Sequence, residues 1–290
     1  MKGSYGRAFY GVQGLGTGHK GTEAAGYLRL GIVGNANVRT PTGVERLMSV
    51  GDRNPVELSE GMTSAEIGIT IPAVEDPDFL QLAIHDVGTD ELNWLSTKFG
   101  YNQGANQLTV VAIDCKIDTL TLRLEAGGRL NADVRMLGGK VQKSAADPGD
   151  MSFFGAMAYR WFEGIWDEVR DLRAIELTVR NNLTLEPLIA GSGTTRDPDR
   201  IWDAMDEGDT EVGGTLTYFL SDPAQDLQDC LIPGQDLNLT LQSCGDVSPG
   251  QLMVLHIHGL KPIDENLTLP AGGNILVEVP FMATGWDLVG

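Results

Sequence analysis

The segment Leu120–Gly139, LTLRLEAGGRLNADVRMLGG, alternates apolar and polar residues, turns at Ala126-Gly127-Gly128, alternates again and leaves on glycine. Period-two patterning around a glycine turn reads as a β-hairpin with one buried face. Far along the chain, Leu267–Gly285 repeats the plan as LTLPAGGNILVEVPFMATG. The two Ala-Gly-Gly turns lie 145 residues apart (271 − 126). Two further landmarks keep that spacing. Glu60-Gly61 and Glu207-Gly208 differ by 147, and Asp76-Pro77 and Asp222-Pro223 by 146. Three landmarks in one order, each near half of 290 residues, point to a tandem duplication.

The text between the landmarks is mostly β. Gln107–Ile117, Asp118–Leu124, Ile175–Leu183, Leu237–Leu241 and Leu252–Ile257 alternate and are rich in β-branched residues. Each Asp-Pro pair is followed by a short helix candidate, Asp78–Ile84 and Ala224–Leu231. The fold class expected is therefore mainly β, a sandwich or split barrel in each half with a short flanking helix. Residues 1–26 read as a flexible glycine-rich arm and 27–145 as a first β domain. Residues 146–174 read as a linker with an amphipathic helix, and 175–290 as a second β domain. The helix rests on Phe154, Ala158, Trp161, Ile165, Val169 and Leu172, which step by three or four. The arm, Gly3–Gly26, is expected to order only against a neighbouring molecule, because it is poor in apolar residues.

Composition bounds the function. The chain is 42% apolar, enough for one large core or two ordinary ones. It has no run of eighteen apolar residues, and its opening lacks the apolar stretch of a secretory signal. Cys115, Cys230 and Cys244 have no metal-like spacing and read as reduced thiols. Forty acids against twenty-one bases give a net charge of −19, from 24 Asp, 16 Glu, 14 Arg and 7 Lys. Such a chain repels nucleic acid rather than gripping it. The acid excess fits a salt-adapted source, and a GC-rich genome would bias composition similarly.

Candidate chemistry is sparse. Gly16, Gly18 and Gly21 match a dinucleotide fingerprint and Lys20 resembles a P-loop lysine, but the run that follows, YLRLGIV, is strand-like. His256 and His258 share one strand face and could begin a metal site, yet no third ligand is placed by sequence. His19 and His85 stand alone. The acidic run Asp197–Glu211 reads as a solvated loop, and no nucleophile–base constellation stands out. Asn182, Asn238 and Asn266 open glycosylation-type triplets inside strand text. No catalytic, cofactor-binding or metal-binding residue is assigned, no cofactor is expected, and no enzymatic activity is expected.

Several strings resemble the major tail tube proteins of long-tailed bacterial and archaeal viruses. They are GVERLMSVGDRNPVELSEGMTSAEIGITIP from Gly43, DTLTLRLEAGGRLNADVRMLGGK from Asp118, LRAIELTVRNNLTLEPL, EGDTEVGGTLTYFLSDP and LPAGGNILVEVPFMATG. The resemblance implies a structural virion subunit, assembled in the host cytoplasm, that closes into rings and stacks into a conduit for DNA ejection. It implies partners of three kinds: further copies of the chain, other tail proteins at the tube ends, and DNA passing without specific binding. No membrane is implied. The resembled rings present six tube domains, so a chain with two would form a trimer of pseudo-sixfold symmetry; six chains with one half decorating the outside is the alternative. Other functional readings are a terminator or baseplate hub on the same fold, and a two-domain β-sandwich binding module.

Overall fold

The structure is a computed structural model and describes residues 5–15, 21–30, 33–47, 57–74, 76–86, 88–103, 106–145, 158–165, 172–186, 204–220, 235–244, 252–263, 266–268 and 275–289. It is mainly β, as the alternating text requires. The first half runs β1 (Tyr5–Gly14), β2 (Leu28–Arg29), β3 (Asn35–Arg39), β4 (Thr42–Leu47), β5 (Glu57–Thr63), β6 (Ala65–Ile71), α1 (Pro77–Gln81), β7 (Trp94–Gln103), β8 (Asn106–Glu125) and β9 (Asn131–Ser144). The second runs β10 (Ala158–Ile165), β11 (Leu172–Arg180), β12 (Thr184–Glu186), β13 (Ala204–Asp206), β14 (Glu211–Leu220), β15 (Gln235–Cys244), β16 (Leu252–Pro262), β17 (Asn266–Thr268), β18 (Ile275–Ala283) and β19 (Gly285–Val289). Fifteen of these strands belong to one antiparallel sheet system; β4–β5 and β12–β13 form separate two-stranded ladders.

The hairpin that opened the reading is β8–β9. The two stretches read as Gln107–Ile117 and Asp118–Leu124 are one strand of 20 residues, bent where Asp114 adopts φ 56° and the register shifts between Ile117 and Thr119. Its first part pairs with β7 and its last part with β11, so one strand serves two layers. Ile67, Ile69, Leu120, Leu122, Val134, Met136, Leu177, Val179, Val277, Val279 and Phe281 all point inward into a shared core.

The halves follow one register. Ala112 faces Val141 as Ile257 faces Trp286, Lys116 faces Leu137 as Lys261 faces Met282, and Leu122 faces Ala132 as Leu267 faces Val277. Each member lies 145 residues after its counterpart (257 − 112). Gly259 repeats the φ of 56° found at Asp114, again at an offset of 145. The register slips between Leu95 and Thr97 in β7 and between Gln235 and Leu237 in β15.

Two expectations are corrected. The arm is not separate from the fold between Tyr5 and Gly14: β1 pairs with β7 along its length, and Ala8, Phe9 and Tyr10 are buried. Glycine content disguised a strand whose few apolar residues include three that are buried. Tyr10 is 1% exposed, stacks 4.9 Å from Phe79, and donates to Asp76 Oδ2 at 2.7 Å. Asp76 also caps α1, accepting from the Asp78 amide at 3.1 Å, with Pro77 opening the helix. The second correction is the amphipathic helix. Ala158–Ile165 is a strand paired with β15, not a turn of helix. Its Tyr159, Trp161, Phe162 and Ile165 favour extended backbone, and Gly164 disfavours helix. The unpaired edge of β15 supplies hydrogen bonds that no local periodicity reveals. Phe154 and Val169 lie outside the described residues, as does the helix expected at Ala224–Leu231.

Candidate functional site

Alternation in the strands leaves one face of the sheet buried and the other open. From β3 the pairing runs β3–β6–β9–β8–β11–β14–β18–β17, eight strands that cross from the first half into the second at β8–β11. The open face across this seam is polar. Arg123 donates to Glu176 at 2.9 Å and pairs with Asp133, which holds its guanidinium pKa above the ordinary value. Thr121 and Thr178 hydroxyls meet at 3.2 Å directly across the seam. Further along, the face changes character: Met282 (57% exposed) and Leu276 lie on the open side of β18, with Ile263 (64% exposed) bonded to the Pro280 carbonyl beside them. Among the described residues, β3 pairs only with β6 and β17 only with β18, so the path ends in two open edges.

Beneath the seam a buried polar network joins the halves. Asn181 is fully buried; its amide donates to the Ala83 and Ile117 carbonyls at 3.1 and 2.9 Å, and its oxygen accepts from the Thr210 hydroxyl at 3.1 Å. Glu207 pairs with Lys116, lies 3.1 Å from His85 Nε2, and accepts from the Leu92 amide at 3.0 Å. Lys116 also sits 4.1 Å from the centre of the Trp94 ring. One member of the acidic run expected to be a solvated loop is therefore a structural anion facing inward, and His85 is its partner. Residues 197–203 of that run, with His19, Lys20, Gly16 and Gly18 of the glycine motif, lie outside the described residues. Cys115 is a free, buried thiol, and burial pushes its pKa far up.

The paired histidines gain what the sequence could not place. His256 and His258 lie on one face of β16, and Asp287, directly opposite His256 on β19, reaches both. Its Oδ1 is 3.2 Å from His256 Nδ1 and its Oδ2 is 2.8 Å from His258 Nε2. Asp236 Oδ2 stands 3.6 Å from His258 Nδ1, while Asp236 Oδ1 accepts from the Gly259 amide at 2.9 Å. Asp287 is the main reason the His258 pKa lies above the ordinary imidazole value. The Gly259 amide is the main reason the Asp236 pKa lies below the carboxylate range. A register-aware reading would have found Asp287, since His256 and Asp287 are cross-strand partners.

None of these groups forms a nucleophile with a base, and the eight-strand path above them ends in two open edges, as an assembling subunit needs. A family profile described as phage tail tube protein matches residues 15–283. The chain belongs to the phage tail tube family. It is a structural component of a phage tail, and its β-rich sheet system agrees with that family. The match runs across both halves and the seam between them, so the buried Asn181 and Glu207 networks belong to one tail tube protein. No curated protein matches the chain.

Proposed function

We propose that this tail tube protein builds each ring of the tube from three chains, every chain supplying two tube domains, and that the rings stack into the conduit through which DNA leaves the particle. The observation that carries this reading is the β8–β11 seam. Its pairing joins the end of the first repeat's long strand, β8, to β11 of the second. By the repeat offset, β17 stands where the end of β8 stands. By pairing, β3 stands where β11 stands, since β3 lies against β6 as β11 lies against β14, and β14 follows β6 by 147 residues (212 − 65). Those two are the open edges. Carrying the seam's register over places Asn37 opposite Thr268, Val38 opposite Leu267 and Arg39 opposite Asn266, antiparallel, between neighbouring chains. Such a head-to-tail joint closes into a ring when its rotation closes. It also covers edges that would otherwise template aggregation.

Three chains with eight strands each make a closed barrel of twenty-four (3 × 8). With strands about 4.8 Å apart and a tilt of about 40°, it measures roughly 48 Å across its backbone, wide enough for a DNA duplex. The open polar face lines it. On that face Arg123 is already engaged by Asp133 and Glu176, so it offers no free cation to a phosphate. The chain's other partners are the proteins at the two ends of the tube, and assembly takes place in the host cytoplasm. Cryo-EM of a single tube tests the proposal: three chains per ring with a continuous inner barrel is the expected result, and six whole chains per ring overturns it.

A further inference from the structure

The cluster on β16 and β19 has a geometry that the wall of a tube does not require. At the register-equivalent positions of the first half stand Val111, Ile113 and Gln142, which cannot form such a group. Fold alone therefore does not call for His256, His258 and Asp287. Their ligating atoms all lie within 4.8 Å of one another. Asp287 Oδ1 is buried and accepts no hydrogen bond among the described residues, although His256 Nδ1 is only 3.2 Å away. Buried polar atoms in folded proteins are satisfied, so a carboxylate oxygen in this position calls for an ordered water or an ion.

We propose that His256, His258 and Asp287 bind a divalent zinc-class cation, one per chain, with a water in the remaining position. Bond lengths of about 2.0–2.1 Å at the tetrahedral angle separate ligand atoms by about 3.3 Å. The two Asp287 oxygens already stand 3.2 Å and 2.8 Å from the two rings, and the set of ligating atoms, within 4.8 Å, contracts to that value by side-chain rotation. Two imidazoles with one carboxylate suit zinc, cobalt or nickel, whereas calcium and magnesium want shells of oxygen. The outer shell is in place as well. Asp236 stands beside His258 Nδ1 and is fixed by the Gly259 amide, the carboxylate–histidine arrangement that orients a ligating ring and leaves Nε2 for the metal. The scaffold is rigid, because Leu255, Ile257, Trp286 and Leu288 alternate with the ligands and are buried beneath them. A bound cation would staple β19, the last strand, to β16.

Untagged full-length protein, stripped with chelator, is dialysed against Zn²⁺ and the bound metal counted; Co²⁺ in parallel reports geometry through its visible absorption. One zinc per chain is expected, with a tetrahedral cobalt spectrum, negligible competition from Ca²⁺, and slower amide exchange across β19 when zinc is bound. His258→Gln and Asp287→Asn should each weaken zinc binding at least tenfold while circular dichroism stays unchanged. Asp236→Asn should weaken it by about 10- to 100-fold through the outer shell. If a ligand variant disturbs the fold, His256→Val, which installs the first half's residue, serves in its place. Less than stoichiometric zinc, or binding unaltered in folded ligand variants, overturns the proposal.

Discussion

Asn181 shows how much a single side chain can hold. It has no exposed surface and satisfies two carbonyls of the first half and one hydroxyl of the second. Asn181→Ala takes the amide donor from the two carbonyls, which costs about 3 kcal/mol, while the Thr210 hydroxyl keeps His85. Asn181→Asp should do no better, because a carboxylate would face the Ala83 and Ile117 carbonyls. Urea midpoints measure both, and a loss below about 1 kcal/mol would show that water replaces the amide. Asp76 makes a different forecast. Burial raises its pKa, outweighing the hydrogen bonds from Tyr10 and Asp78 that lower it. A raised carboxylate pKa contributes stability below its unfolded value of about 3.9, and that stability is lost as pH rises through the folded value. Asp76→Asn keeps the cap without the charge, so wild type should lose stability relative to the variant between pH 4 and pH 7. A relative gain over that interval would contradict the shift. Asp76 shows in the sequence as a cap before proline, whereas Asn181 does not announce itself. Asn181 lies unmarked inside the strand text Ile175–Leu183, and only the tertiary pairing of β8 with β11 brings its partners together. The third ligand near His256 was hidden for the same reason.

Strands were legible wherever one face is buried and the other open, because that environment imposes period two on the text. β8, β9, β11 and β18 are such strands. β1 and β10 were not legible. β1 is a strand whose glycines, Gly6, Gly11 and Gly14, fall on both faces and blur the alternation, and β10 holds apolar residues at spacings that fit a helix equally well. What decides β10 is the edge of β15, more than seventy residues away along the chain. The short helix α1 was legible from Asp76-Pro77, since an aspartate cap before proline is a local signal. The landmark offsets were also legible, and they now make a forecast at the level of elements. If β3 and β17 of neighbouring chains pair in the register of the seam, Asn37→Cys with Thr268→Cys puts cysteines at directly opposed positions. Opposed Cα atoms in antiparallel strands are about 4.5–5.5 Å apart, within disulfide range. Mild oxidation of assembled tubes should then link chains into covalent trimers, and Asn35→Cys with Thr268→Cys, displaced by two residues, should not. Equal cross-linking by both pairs would sink the proposed register, whereas cryo-EM alone decides the number of chains.

At the scale of the whole molecule, charge and geometry oppose one another. The open edges and the exposed Met282 and Ile263 favour association, while each chain brings a net charge of −19. A ring of three would hold −57 (3 × 19), and every stacked ring adds as much again. The local ion pairs of Arg123 do nothing to reduce that total, because pairing neutralises neighbours and leaves the net field unchanged. Repulsion between like-charged rings acts over the Debye length, about 10 Å at 0.1 M salt and about 3 Å at 1 M. Strand pairing and apolar burial act at contact and are hardly screened. Raising ionic strength should therefore remove the opposing force and leave the attractive ones, so that rings stack faster and at lower protein concentration. Light scattering across 0.1–1 M sodium chloride measures this directly. Faster assembly at low salt would mean that attraction between complementary charges at the ring interface, rather than strand pairing and apolar contact, drives the stacking.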